Sequence, residues 1–241
     1  MIKNFIPSFL LGCLFLSISL PLTAETYLCH YTSDTIRIDG NLNEQAWRAA
    51  PALDFFVPPH IQKPLSPTIG KMLWDNQYLY ISFKAIDKDV GGTLTRHDSS
   101  TFKEDVLEMF FMPDPDKKFY YNLEINALGT IYDALMSPHH SWREAARWNL
   151  EGLMAKVEIK GSLNNPDDRD EYWQMELAIP WQKLPELEKT PPPVGKNWTF
   201  HLARYDYSAY LPEGKELSSC APLSLVKFHH HPDWVKMKFC R

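Results

Sequence analysis

Phe119-Tyr120-Tyr121-Asn122-Leu123-Glu124-Ile125-Asn126 is the stretch on which the fold reading turns. Phe119, Tyr121, Leu123 and Ile125 alternate with Tyr120, Asn122, Glu124 and Asn126. Period two puts each set on its own side of a strand, and the apolar set needs a core to face. The pattern recurs on both sides. Leu79, Ile81, Phe83 and Ala85 alternate with Tyr80, Ser82 and Lys84, as in a half-buried strand. Trp173, Met175, Leu177 and Ile179 alternate with Tyr172, Gln174, Glu176 and Ala178. Residues 106–112 form an apolar run around Glu108, and 153–160 and 198–205 add two more strands. Helical signals are few: residues 42–50, with Asn41 as N-cap and Glu44 at the capping-box position, and a turn or two at 181–187. Short strands joined by Asp-, Asn- and Pro-containing turns predict an all-β fold. The expected form is an antiparallel β-sandwich, jelly-roll or immunoglobulin-like, with one or two short helices.

The bulk composition agrees. A chain of 241 residues that is 44% hydrophobic and 13% aromatic, with 8 Trp, has too much apolar surface to stay disordered. Pro is frequent at 19 and Gly sparse at 10, which suits strands and rigid turns. The net charge of -5 argues against a nucleic-acid partner, since phosphate binding needs a basic face. Met1 to Asn4 is a short positive start, residues 5–22 are apolar and uncharged, and Leu22-Thr23-Ala24 has the small-residue form of a cleavage site. Residues 1–24 therefore read as a secretory signal peptide, leaving one domain over 25–241 with no membrane attachment after cleavage, in the periplasm or outside the cell. Cys29, Cys220 and Cys240 would enter that oxidising compartment, where three thiols allow one disulfide and one leftover; sequence does not choose the pair.

The second face of 119–126 is unusual for a solvated surface. Tyr120, Asn122, Glu124 and Asn126 offer phenol, amide and carboxylate groups in succession, a set suited to hydroxyl-rich ligands because each sugar hydroxyl both donates and accepts. An ordinary polar outer face is the plainer alternative. Glu108 and Glu176 sit in apolar strands, where a carboxylate is costly unless bonded. Glu108, Glu124 and Glu176 on one face would give a glycoside hydrolase its acid and base. Ligand hydrogen bonding is the preferred reading, with Arg204 holding Glu108 or Glu124 or bonding the sugar itself. Aromatic residues in loops (Phe102, Trp142, Trp148 and Phe228) are candidates to stack on sugar faces or simply to fill the core. His229-His230-His231 cannot easily bind one ion from an extended segment, so these read as surface histidines. Asp87-Lys88-Asp89 and Asp114-Pro115-Asp116 are oxygen-rich loops that suit calcium and suit turns equally.

Four ordered segments carry a family resemblance. Ile38-Asp39-Gly40-Asn41-Leu42-Asn43-Glu44-Gln45-Ala46-Trp47 resembles the opening motif of family 9 carbohydrate-binding modules. Leu73-Trp74-Asp75-Asn76-Gln77-Tyr78-Leu79-Tyr80-Ile81, Glu104-Asp105-Val106-Leu107-Glu108-Met109-Phe110 and Trp173-Gln174-Met175-Glu176-Leu177-Ala178-Ile179-Pro180-Trp181 resemble its later motifs, in order. The resemblance spans about residues 36 to 239. It implies a glycan-binding β-sandwich related to DOMON-like domains, non-catalytic, gripping oligo- or polysaccharide ends of the β-glucan or xylan kind between two rings. By motif offset the rings fall at Phe102 and Phe228, where the family usually has Trp. Glu108 and Asn126 match binding residues, and Glu124 stands where the family has an arginine. Structural calcium is seen in the family, and its modules accompany glycoside hydrolases; here any such enzyme would be a separate chain. A haem-binding redox role is the DOMON-like alternative, with Met109, Met112, Met136, His139 and His201 as the available axial ligands.

Overall fold

The computed structural model describes residues 26–241, so the leader expected at 1–24 lies outside the described residues. In chain order the elements are β1 (Tyr27–Tyr31), α1 (Gln45–Ala49), β2 (Leu53–Asp54), β3 (Thr68–Trp74), β4 (Tyr78–Ile86), β5 (Val106–Met112), β6 (Tyr120–Asn126), β7 (Ile131–Met136), α2 (Trp142–Ala145), β8 (Met154–Lys160), β9 (Tyr172–Pro180), β10 (Asn197–Tyr207), β11 (Lys215–Ser219) and β12 (Val235–Cys240). The alternating segments all form strands, and both α-helices are short.

The all-β expectation holds, but the antiparallel sandwich needs correction. The strands join in one sheet in the order β7-β6-β5-β10-β12-β1-β3-β4-β9-β8, with β11 on β10 and β2 on β3. β1 lies parallel to both neighbours, Tyr27 opposite Met237 of β12 and His30 opposite Leu73 of β3. The result is a curled mixed sheet. Its two halves share a core: the Tyr27 and Phe200 rings lie 5.8 Å apart, and a Cβ built on Gly70 of β3 would come within 2.8 Å of Leu202 of β10. The sequence argument missed this because hairpin signals report only strands that are neighbours in sequence.

The expected half-buried strands are more deeply covered than alternation suggests. β6 is buried along its whole length, and β9 along all but its ends. Outside β9, the segment around α1 supplies the cover. Ile36, Ala46, Trp47 and Ala50 pack on Leu73, Tyr80 and Ala178 in a small second core. Glu176 fastens it, accepting from Trp47 Nε1 at 2.7 Å, Gly40 N at 3.0 Å and Asp39 N at 3.2 Å. Gly40 has φ +88°, and a Cβ there would approach Glu158 Cγ to 3.0 Å, so the glycine of the opening motif is required by backbone and space together. The expected capping box does not form. Asn41 bonds Asp39 instead, and Glu44 accepts from Arg37 N. Cys29, Cys220 and Cys240 are free thiols.

Candidate functional site

β5, β6, β7 and β10 carry the polar face read from 119–126. The register sets Glu108 opposite Glu124 on one side and Ala203 on the other, with Tyr132 opposite Glu124 on β7. Loops near residues 98–104 and 221–234, together with α2, cover this face and leave a cavity of about 560 Å³. Phe102, Glu108, Tyr120, Asn122, Glu124 and Phe228 all line it, joined by Tyr132, Trp142, Tyr205 and His229. Six of the eight expected residues are thus brought together.

The other two serve elsewhere. Asn126 braces the β6–β7 turn: its Nδ2 donates to Leu94 O and Glu104 Oε1, and its Oδ1 accepts from Thr130 N and Leu128 N. Fully engaged and buried, it has no free group to offer a ligand. Arg204 points to the opposite side of β10 from Tyr205, as period two demands. It donates to Asp87 Oδ2 at 2.6 Å and to Ile86 O at 2.8 Å, and lies 3.3 Å from Asp206. It therefore does not hold Glu108 or Glu124. Glu176, on β9, is likewise remote from the pair.

Arg204 also bears on the calcium expectation. Asp87, Asp105 and Asp206 lie close enough to share an ion. However, the guanidinium already faces Asp87 and Asp206, and Asp105 accepts backbone N–H groups from Gly91 and Tyr207. The counter-charge is built into the chain. Burial lifts the Asp87 and Asp105 carboxyls above the ordinary range, opposed by Arg204. Asp114 accepts from Asp116 N in a simple turn, and Asp89 accepts from Ala209 N.

Electrostatics at the cavity floor follow from burial. Glu108 and Glu124 are both held above the usual carboxyl range by desolvation, and at Glu108 the facing Glu124 adds to it. Two facing buried carboxyls disfavour double ionisation, so burial and their mutual charge both act to keep a proton on the pair. Thr101 Oγ1 donates to Glu124 Oε2 at 2.8 Å. Beside them Asn122 Nδ2 is buried with no partner. An unmet donor of this kind at a cavity wall is costly unless a ligand or water completes it. His229, pushed down to about 4 by burial, is neutral and hydrogen-bonded through Nδ1 to the Tyr120 hydroxyl at 2.9 Å. His201 is stacked on Phe110 with centroids 5.3 Å apart and bonded to Ser219.

The rings divide by exposure. Phe102 is 41% exposed and Trp142 62%, whereas Phe228 is only 4% exposed. Phe228 packs edge-on against Tyr205 and His201, and its carbonyl accepts from Trp234 Nε1. It forms part of the wall and is not a free ring; the second free ring is Trp142. Trp142 opens α2, whose capping box pairs Ser141 with Glu144. That Ser-x-x-Glu spacing was readable in the sequence, as was His229 at the head of the His run. Tyr132 and Tyr205 gave no signal apart from strand alternation.

The fold has counterparts. A carbohydrate-binding candidate from Bacteroides uniformis superposes with a TM-score of 0.64 at 15% identity, covering 90% of this chain and 100% of that one. A family 9 carbohydrate-binding module from Caldicellulosiruptor kristjanssonii, in complex with cellotriose, gives 0.59 at 12% identity, with 90% and 94% covered. Its glucose complex gives 0.59 at 13%, with 89% and 96% covered. At these identities the likeness is one of fold. No curated protein matches the sequence. The profile described as carbohydrate family 9 binding domain-like matches residues 38–211, from the motif clamped by Glu176 to beyond β10. The chain belongs to that family, the carbohydrate family 9 binding domain-like proteins.

Proposed function

We propose that the cavity binds the end of an oligo- or polysaccharide chain, without catalysis, using Phe102 and Trp142 as stacking surfaces and the β5–β6 floor as the hydrogen-bonding surface. One observation carries this reading: a buried polar floor with an unpartnered Asn122 amide and the facing Glu108–Glu124 pair shares one cavity with two exposed rings. Sugar hydroxyls can accept from Asn122 and the protonated carboxyl and donate to the ionised one, while a ring covers the C–H face. Tyr120, Tyr132 and Tyr205 fill out the walls. Affinity is modest, because hydroxyl contacts exchange water for ligand and the rings supply the surplus. The related modules seen with glucose and cellotriose make a glucan end the first ligand to try, with xylan next. With the leader expected at 1–24, the protein would be secreted, and it would act in carbohydrate catabolism beside a separate glycoside hydrolase.

The test is calorimetric titration with cello- and xylo-oligosaccharides, before and after borohydride reduction of the terminal sugar. Binding that is lost on reduction, and weakened at least tenfold by Trp142→Ala, is the expected result. Silence across both series refutes the assignment. Release of reducing sugar that Glu108→Gln abolishes would make the protein a hydrolase instead.

A further inference from the structure

At the edge of the sheet, beside the sugar cavity whose wall Asp98 shares, a second constellation has no role in the reading above. His97 and Asp98 lie in the β4–β5 loop, Asp133 lies on β7, and Asn149 lies between α2 and β8. The His97 Nε2 atom faces three oxygens at once: Asn149 Oδ1 at 2.7 Å, Asp133 Oδ1 at 3.0 Å and Asp98 Oδ1 at 3.5 Å. One imidazole N–H can serve one of them well. Asp133 is 1% exposed, and its Oδ1 and that of Asp98 are buried without hydrogen-bond partners. The other oxygen of Asp133 accepts from Leu150 N, which fixes the carboxylate and aims the free atom inward. Two carboxylates, an amide oxygen and an imidazole nitrogen that converge with too few hydrogens form an arrangement that a cation completes.

The donor set selects the cation. One nitrogen and three oxygens match zinc and its first-row neighbours, whereas calcium prefers six to eight oxygens and no imidazole. A tetrahedral ion bonded at about 2.0 to 2.1 Å holds its donors about 3.3 Å apart. The spacings from His97 bracket that value, and the donor atoms of His97, Asp98 and Asp133 all lie within 4.8 Å of one another. We propose that His97, Asp98, Asp133 and the Asn149 amide oxygen bind one divalent ion of the zinc class. The ion would join two loops. One leads from Asp98 to Phe102, and the other leads back from Asn149 through α2 to Trp142. The metal site stands without any assumption about the sugar. Its effect on the two rings rests on the glycan reading.

The experiment contains no sugar, so it can fail independently of that reading. Untagged protein, stripped with a chelator, is titrated with zinc chloride by calorimetry and followed by thermal unfolding. One zinc per chain and a raised Tm are expected. Affinity should fall at least tenfold, and the Tm rise should vanish, in His97→Ala and again in Asp98→Asn. A His230→Ala, His231→Ala double variant should bind like the parent, because those histidines belong to the separate surface run. Cobalt in place of zinc should give visible absorption in the parent and not in His97→Ala. The proposal is overturned if zinc does not bind, if binding survives His97→Ala and disappears in the double variant, or if calcium binds here in preference to zinc.

Discussion

Replacing Glu176 by alanine tests the physical account of the opening motif. The carboxylate accepts three N–H groups from a segment more than a hundred residues earlier. Trp47 is 2% exposed and Gly40 is buried, so two of those donors would lose their partner with no easy access to water. A buried donor left unpaired costs about 1–3 kcal/mol, giving roughly 2–6 kcal/mol for two. Against this, removing the carboxyl relieves a desolvation strong enough to raise its pKa to about 7. A net loss of about 3 kcal/mol is expected. For a domain of this size that corresponds to a Tm lower by about 6–12 °C. Glu176→Gln keeps one acceptor but turns an amide N–H₂ toward a donor, so it should recover only part of the loss. Urea unfolding of the three proteins measures the stabilities, and sugar titration well below the transition measures binding, which should not change. A loss under about 1 kcal/mol for the alanine variant would refute the clamp, as would lost sugar affinity at full stability.

Other expectations are as concrete. Phe228→Ala should cost about 3–5 kcal/mol in urea unfolding, as truncation of a buried phenylalanine does. Phe102→Ala, at an exposed ring, should cost less than about 1 kcal/mol while weakening sugar binding in calorimetry. Because Glu108 and Glu124 are held above their unfolded pKa values, the folded state keeps a proton that the unfolded chain releases. The pair's contribution to stability therefore falls as pH rises from the ordinary carboxyl range through the raised values, and Glu108→Gln should flatten that slope in unfolding measured across pH. Arg204→Met strands Asp87 and Asp206 without their counter-charge and should cost about 3–5 kcal/mol in urea unfolding, leaving sugar titration unaltered.

Much of the strand content was legible because burial writes itself into alternation. β5 coincides with the run predicted from its apolar residues, and β6 and β9 lie within a residue of theirs. Period two also located the cavity floor, since Tyr120, Asn122 and Glu124 had to share a side. It could not say what covers that side. The two loops and α2 that turn an open face into a cavity are placed by long-range contacts with no sequence period. Motif offset pointed to Phe102, which is exposed at the cavity, and to Phe228, which is buried in its wall, because an offset records order along the chain and not depth. Arg204 shows the opposite failure. Its chemistry suited Glu108, yet its odd-even position relative to Tyr205 already placed it across the strand. Asn126 lies at the turn, where its amide closes two bonds within the turn and two to the β4–β5 loop.

The parallel seam at β1 has a consequence for the order of events in folding. β1 is the first and β12 the last strand among the described residues, and the two pair, with the six residues of β12 ending at Cys240. β12 also supplies the edge of β10, from Asn197 opposite Lys238 to Phe200 opposite Val235. Until β12 arrives, the two halves of the sheet can each form hairpins, but β1 and β10 keep bare edges, a template for pairing with other chains. Closing contacts between residues so distant in sequence is slow. A nascent chain thus remains joinable along that gap until β12 has left the ribosome, and that strand acts as the timer for sealing the sheet.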